Sequence, residues 1–174
     1  MENAATATFA FTTENEARFQ ELLPKYPTKQ AVVIPALWLA HDQNGYLTPE
    51  AMDYVAQRLE QSPVSVYAVV EFYTMFHTSP PGKHHIQLCR TITCDMLGCD
   101  NLAGLIHDEI GIGPGEQTPD GLFSFEMVEC LGSCGTGPMM RMDNRYFENL
   151  TRDKLQRVLR ACKEGRDSAE EDRD

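Results

Sequence analysis

The residues of this sequence best suited to chemistry are its six cysteines, all of which lie in the second half of the chain. Four of them form two pairs, Cys89-x4-Cys94 and Cys130-x3-Cys134, separated by the 35 residues 95–129. Four thiolates, two for each iron, are the ligand set that a [2Fe–2S] cluster needs. The cysteines therefore predict an iron–sulfur site on Cys89, Cys94, Cys130 and Cys134.

The second pair lies in a glycine-rich loop, Cys130-Leu-Gly-Ser-Cys-Gly-Thr-Gly-Pro138. Glycines let backbone amides approach a ligand closely. Amide N–H groups directed at cluster sulfurs stabilise negative charge and adjust the reduction potential. The composition of this loop favours a cluster site over a group of inert cysteines.

Two other uses of these cysteines stay open from the pattern alone. A structural zinc site also takes four thiolates, but it commonly shows Cys-x2-Cys pairs, which are absent here. Buried cysteines that serve only packing would have no reason to lie beside glycines. A Rieske site needs two histidine ligands, and His84 and His85 are not in cysteine-flanked loops.

The two surplus cysteines, Cys99 and Cys162, are interpreted as packing residues on helices. An exchange of Cys99 for Cys94 as a ligand remains open. The stretch Gly111-x-Gly113-x-Gly115 lacks the strand and helix context of a dinucleotide loop. Nothing in the sequence predicts an NADH or flavin site on this chain.

Composition limits the class of protein. Of 174 residues, 42% are apolar and 24% are charged, which is typical of a packed domain. The formal net charge of −11 argues against nucleic acid as a partner. The longest apolar run, 31–40, is shorter than the roughly 20 residues that cross a bilayer, and the N-terminus lacks a secretory signal pattern. We expect a cytoplasmic, reducing location, where cysteines bind metal more often than they form disulfides.

The first half of the chain has helical patterns. Thr13 and Glu16 predict a capping box at a helix start, and Thr48-Pro49 predicts the start of another helix. Two further helices are predicted over 29–41, with a possible kink at Pro35, and over 65–76.

The second half mixes strands and helices in the order β-α-β-β-α, which predicts a small α/β layer fold. The predicted strands cover 85–89 and 122–128, with a hairpin of 139–142 and 146–147; the predicted helices cover 95–110 and 151–162. Each cysteine pair follows a strand, so a packed sheet would hold the pairs at a fixed separation. The predicted domains are a helical domain, 1–80, a cluster domain, 81–163, and an acidic, mobile tail, 164–174.

From Phe19 to Cys162 the chain resembles the thioredoxin-like [2Fe–2S] component of respiratory NADH:quinone oxidoreductase (complex I), often called its E subunit. The resemblance rests on the order and spacing of several segments. These segments are Lys25-Tyr-Pro27, Ile34-Pro-Ala-Leu37, Gly45-Tyr-Leu-Thr48, Val66-Tyr67, Phe72-Tyr-Thr-Met-Phe76, Gly82-Lys83, Thr118-Pro-Asp-Gly121 and Glu129-Cys-Leu-Gly-Ser-Cys-Gly135. Cys99 departs from the small residue usual at its position.

The resemblance implies an α+β protein, with an N-terminal helical bundle followed by a thioredoxin-like α/β domain. It places the four cluster ligands on Cys89, Cys94, Cys130 and Cys134. It implies an electron-transfer subunit of an oxidoreductase with no catalytic side chains of its own. The implied partners are a subunit that binds FMN and NADH and further iron–sulfur subunits, and the cluster would exchange single electrons with the FMN. The implied location is cytoplasmic, peripheral to the inner membrane through the complex and without insertion into it.

Two alternatives to complex I are kept. Close relatives with the same cluster and flavin partner belong to NAD-linked hydrogenases and formate dehydrogenases. A free-standing thioredoxin-like ferredoxin is the second alternative. The helical N-terminal region argues against it, because apolar residues over 69–76 suggest a docking surface.

Overall fold

The computed structural model describes residues 9–172, without the side chains of the last two. The chain divides after Pro80 into two compact units. Residues 1–8 of the predicted helical domain and residues 173–174 of the predicted tail lie outside the described residues. Within 9–172, no helix has the length and apolarity that crossing a membrane requires.

The first unit is helical. Its four α-helices are α1 (Thr13–Leu22), α2 (Val33–Asn44), α3 (Pro49–Arg58) and α4 (Pro63–Phe72), with 3-10 turns at Leu23–Lys25 and Lys29–Val32. Helices α1, α2, α3 and α4 surround one apolar core. Its fully buried members include Val32, Ala36, Leu37, Leu47, Val55, Leu59 and Val66.

Threonine side chains cap the starts of α1 and α3 in this unit. The Thr48 hydroxyl accepts a hydrogen bond from the Ala51 amide, as the sequence predicts. The cap of α1 is Thr12, whose hydroxyl accepts from the Asn15 amide. The predicted cap at Thr13 is therefore wrong by one residue, because two adjacent threonines offer equivalent hydroxyls.

Two predicted helix boundaries also differ from the structure. The helix predicted over 29–41 is a 3-10 turn followed by α2, which puts Pro35 in the first helical turn. Residues in the first turn of a helix donate no intrahelical hydrogen bond. The missing N–H of Pro35 therefore breaks no hydrogen bond, and the helix does not need to kink. Helix α4 ends at Phe72 rather than Phe76, since Tyr73 adopts an extended backbone and Phe76 turns into the core.

Arg58 and Glu16 join α3 to α1 through two hydrogen bonds of 2.6 Å. The guanidinium also lies 4.6 Å from the centre of the Phe19 ring. Hydrogen bonding to Arg58, and then to Gln20, lowers the pKa of Glu16 to about 2. The stabilisation is therefore present above the unfolded-state pKa of about 4.3, and it is lost as the pH falls toward 2.

We expect Glu16→Gln to lower the free energy of unfolding at pH 7 by less than about 1 kcal/mol, because the pair is partly exposed to solvent. The difference from wild type should shrink as the pH approaches 2. Urea unfolding followed by circular dichroism at several pH values measures it. Glu14→Gln, in the same helix turn and without a described ion pair, is the control. An equal effect of both variants at every pH would contradict the prediction.

The second unit contains a sheet and three α-helices. Its strands are β1 (His84–Cys89), β2 (Glu116–Gln117), β3 (Phe123–Val128), β4 (Met140–Met142) and β5 (Arg145–Phe147). Its helices are α5 (Ile92–Met96), α6 (Cys99–Ile110) and α7 (Arg152–Lys163). The predicted single helix over 95–110 is wrong, because Gly98 has a left-handed backbone (φ +89°) and divides it into two.

The five strands lie in the order β2-β3-β1-β4-β5, with β1 in the centre. Strands β1 and β3 are parallel, and the other neighbouring pairs are antiparallel. Alternate residues of β1, Ile86 and Leu88, are fully buried in the core shared with α6 and α7. The α+β class predicted from the resemblance is confirmed.

After α7 the described chain continues with a 3-10 turn at Ser168–Asp172. Asp167, just before that turn, forms an ion pair of 2.8 Å with Arg145. Because both side chains are exposed, this ion pair contributes little to stability.

Candidate metal centre

Parallel pairing of β1 and β3 brings the two cysteine pairs to one edge of the sheet. Cys89 is the last residue of β1, and its partner in register is Val128, the last residue of β3. Cys130 follows only two residues later. Because parallel strands end at the same edge, both cysteine-bearing segments leave the sheet side by side.

The first pair, Cys89 and Cys94, is buried. Cys94 lies on α5, whose chain turns back directly after β1, and its thiol is a hydrogen-bonding partner of the Cys89 thiol. The Cys89 sulfur also lies 3.2 Å from the Thr91 hydroxyl. The first pair is thus held as a unit by a short turn and a short helix.

Backbone groups of the glycine-rich loop contact the first pair directly. The Cys89 thiol donates a hydrogen bond of 3.2 Å to the Glu129 carbonyl, and the Leu131 amide donates to the Cys89 sulfur. The Met139 amide donates to the Cys94 sulfur. The two ends of the loop therefore contact the two sulfurs of the first pair.

The second pair, Cys130 and Cys134, is exposed. The Gly132 amide lies 3.4 Å from the Cys130 sulfur and donates to it, and Gly132 has a positive φ of 81° that favours glycine. Cys134 opens a 3-10 turn, Cys134–Thr136. One side of the site is therefore enclosed by the protein, and the other faces outward.

Glu148 holds the loop in place. Its carboxylate accepts hydrogen bonds from the hydroxyls of Ser133 and Thr136, which lie on either side of Cys134. These bonds lower the pKa of Glu148, with the larger contribution from Ser133. The carboxylate stays ionised and keeps both hydroxyls oriented.

The two buried thiols differ in acidity. Burial acts to raise the pKa of Cys89, but hydrogen bonds from Thr91 and from the Leu131 amide outweigh it, and the pKa is lowered. Burial, and then hydrogen bonding to Cys89, raises the pKa of Cys94 to about 11. A bound metal makes coordinating thiols ionise. The amide N–H groups directed at these sulfurs stabilise the resulting thiolates.

The remaining cysteines make other contacts. Cys99, the first residue of α6, is fully buried, and its thiol points to the Asp100 carboxylate at 4.0 Å. Cys162, on α7, lies 3.9 Å from the Met142 sulfur in the core. His84, at the far end of β1 from Cys89, pairs with Asp143 at 3.1 Å.

The arrangement fits a [2Fe–2S] cluster. Two thiol pairs come from adjacent strand ends, and amides are directed at three of the sulfurs. A Cβ on Gly137 would lie 3.1 Å from Leu97 and 3.5 Å from the Cys94 sulfur, so the loop packs closely over this thiol. Sequence reasoning missed Thr91 and Glu148, because neither residue type marks a cluster site.

Comparisons with known proteins agree with this chemistry. The profile of the thioredoxin-like [2Fe–2S] ferredoxin family matches residues 19–163. NADH-quinone oxidoreductase subunit 2 of Thermus thermophilus is 37% identical over 84% of this chain and 83% of its own length. The E subunit of NADH-quinone oxidoreductase from Rickettsia bellii is 36% identical over 90% of this chain and 96% of its own.

A solved structure, an NAD+-reducing [NiFe]-hydrogenase, shares the fold with a TM-score of 0.64 and 19% identity. The match covers 74% of this chain and 22% of the hydrogenase chain, so this protein spans about a fifth of that chain's length. The family profile covers most of the chain, including both cysteine pairs. The chain belongs to the thioredoxin-like [2Fe–2S] ferredoxin family.

Proposed function

We propose that this chain is the subunit of an NADH:quinone oxidoreductase that holds one [2Fe–2S] cluster and exchanges single electrons with the FMN of a partner subunit. The observation that carries the proposal is the contact between the two cysteine-bearing segments at adjacent parallel strand ends. The identity of 36–37% with NADH-quinone oxidoreductase subunits over most of the chain supports the choice of complex.

The proposed ligands are Cys89, Cys94, Cys130 and Cys134. When bound, the cluster supplies one-electron chemistry between Fe³⁺ and Fe²⁺. The chain's own residues position it and exclude water from the side of Cys89 and Cys94. The amides of the glycine-rich loop donate to sulfur and stabilise negative charge there. No acid, base or nucleophile is required of any side chain.

The proposed partners follow from the same assignment. A flavin accepts two electrons from NADH as a hydride, and a one-electron acceptor close by can separate them. The FMN and NADH sites belong to the partner subunit, which is joined by further iron–sulfur subunits. We place this chain in the cytoplasm, peripheral to the inner membrane through the complex, with the cluster in residues 81–163.

An anaerobic purification of the full chain tests the redox assignment. We expect two irons and two sulfides per chain, brown colour, and an EPR signal that appears only after reduction with dithionite. A colourless protein that contains zinc and has no EPR signal would overturn it. Isolation of the intact assembly from its own cells then identifies the complex. Quinone-module subunits would support the proposal, whereas a NiFe or molybdenum subunit would replace complex I with a hydrogenase or formate dehydrogenase.

A further inference from the structure

Cys134 is the proposed cluster ligand that is least supported by its own contacts. Its side chain is exposed, so packing does not fix it. Amides are directed at the sulfurs of the other three proposed ligands, whereas within residues 9–170 no hydrogen bond reaches the Cys134 sulfur. The position of this thiol therefore depends on the backbone of the 3-10 turn that carries it, Cys134–Thr136.

That turn has few restraints of its own. Gly135 lies inside it, and Gly137 directly follows it. Glycine adopts more backbone conformations than other residues, so ordering it costs more entropy. The backbone contributes a hydrogen bond of 3.2 Å from the Thr136 amide to the Ser133 carbonyl. Contacts from outside the turn are needed to hold the Cys134 thiol in one place.

The Glu148 carboxylate makes such contacts. Its Oε1 atom accepts a hydrogen bond from the Ser133 hydroxyl and one of 2.5 Å from the Thr136 hydroxyl. The two hydroxyl oxygens lie 2.7 Å apart. Ser133 directly precedes Cys134, and Thr136 is the last residue of the turn. The carboxylate therefore joins the two ends of the turn across the cysteine.

Glu148 is itself held by the folded core of the second unit. It directly follows Phe147, the buried last residue of β5. The buried Lys154 of α7 donates a hydrogen bond of 2.8 Å to the Glu148 carbonyl. The Asn149 amide donates one of 2.6 Å to the Thr136 carbonyl. A strand end and a helix thus place the carboxylate against the turn.

We propose that Glu148 is the positioning residue for Cys134. Through the hydroxyls of Ser133 and Thr136 it keeps the thiol where iron can bind it, and it thereby sets how firmly the chain retains the metal. The proposal rests on the proposed function, because it takes Cys134 as a cluster ligand. Changes to groups that orient a metal ligand typically cost about 10–100-fold in metal affinity.

The test is the rate at which an excess of the chelator EDTA removes iron from the anaerobically purified full chain. We expect Glu148→Ala to raise this rate at least about tenfold. Glu148→Gln should give an intermediate rate, because its amide oxygen accepts from the same hydroxyls in weaker bonds. Glu164→Ala is the control. It removes an exposed carboxylate just after the far end of the 12-residue α7, and it should keep the wild-type rate.

Further variants test whether Glu148 acts through the two hydroxyls. Ser133→Ala with Thr136→Val removes both hydroxyls and should reproduce the effect of Glu148→Ala. Adding Glu148→Ala to this pair should change the rate no further, since substitutions that remove one shared contact are not additive. The EPR line shape of the reduced cluster should change with Glu148→Ala and return toward wild type with Glu148→Gln. A general loss of stability would lower the Tm without this pattern.

Wild-type rates for Glu148→Ala and for the hydroxyl pair would overturn the proposal and leave the proposed function intact. Equal rates for Glu148→Ala and Glu148→Gln, or additive effects in the triple variant, would also overturn it. If Glu148→Ala does not fold, the isosteric Thr136→Val decides the question, because a faster release of iron supports the proposal and an unchanged rate contradicts it. Absence of iron from the wild-type chain would instead overturn the proposed function, and this inference with it.

Discussion

Replacement of Cys130 by serine is expected to remove most of the bound iron from a protein that still folds. The Cys130 side chain is exposed, so it contributes little to packing. Changes to residues that only support a metal ligand already cost about 10–100-fold in affinity. Loss of a ligand itself should lower iron and sulfide per chain at least about tenfold, measured by chemical analysis after anaerobic purification.

Three further cysteine variants make this result specific. Cys162→Ala removes a thiol from the core of the second unit, so it should lower stability while leaving iron and sulfide unchanged. Cys94→Ser and Cys99→Ser separate the two ligand assignments left open by the sequence. We expect iron loss with Cys94→Ser and retention with Cys99→Ser. The opposite pattern would make Cys99 the ligand.

Substitution of Gly82 by alanine is expected to destabilise the second unit severely. A Cβ at this position would lie 2.4 Å from the Phe123 carbonyl carbon and 2.5 Å from the Ser124 nitrogen. Both are backbone atoms of β3, which cannot move without breaking its pairing with β1. The Gly82 amide also donates to the Ser124 hydroxyl at 2.9 Å. We expect a loss of about 3 kcal/mol or more in the free energy of unfolding, and a Tm lower by about 10 °C or more.

Gly104→Ala is the matched control for this prediction. Gly104 is an exposed residue inside α6, and a Cβ there would meet no atom within 4 Å. Alanine favours a helix over glycine by about 0.5–1 kcal/mol, so this variant should be slightly more stable than wild type. Thermal unfolding of both variants distinguishes a steric effect at Gly82 from a general effect of replacing glycine. Equal Tm values for the two would contradict the prediction.

Strong local signals allowed much of this fold to be predicted from the sequence. Thr48-Pro49 combines a cap with a proline at the first helical position, and α3 begins there. The alternation of polar and apolar residues that ends at Cys89 predicted β1. The apolar face of the last helix predicted α7, with an error of one residue at each end. The cysteine spacing and the glycines of the second loop predicted which segments meet.

Other features depend on tertiary structure and have weak local signals. Strand β2 has only two residues and exists through its pairing with β3. The division between α5 and α6 depends on the backbone angle of Gly98, since a single glycine is also tolerated inside a helix. The exposure of Ile92 and Met96 could not be predicted either, because apolar residues near a cysteine are usually interpreted as core.

The parallel register of β1 with β3 has a consequence for biosynthesis. Residues that pair across these strands, such as Cys89 and Val128, are far apart in the sequence, whereas α1 to α4 form from local contacts. Contacts between distant residues form slowly during folding, and the four thiols assemble only after β3 has been synthesised and has paired. A scaffold or carrier that delivers iron and sulfide would therefore meet a complete site only on chains that have finished this step. Pairing of β1 with β3 would therefore have to come before insertion of the cluster.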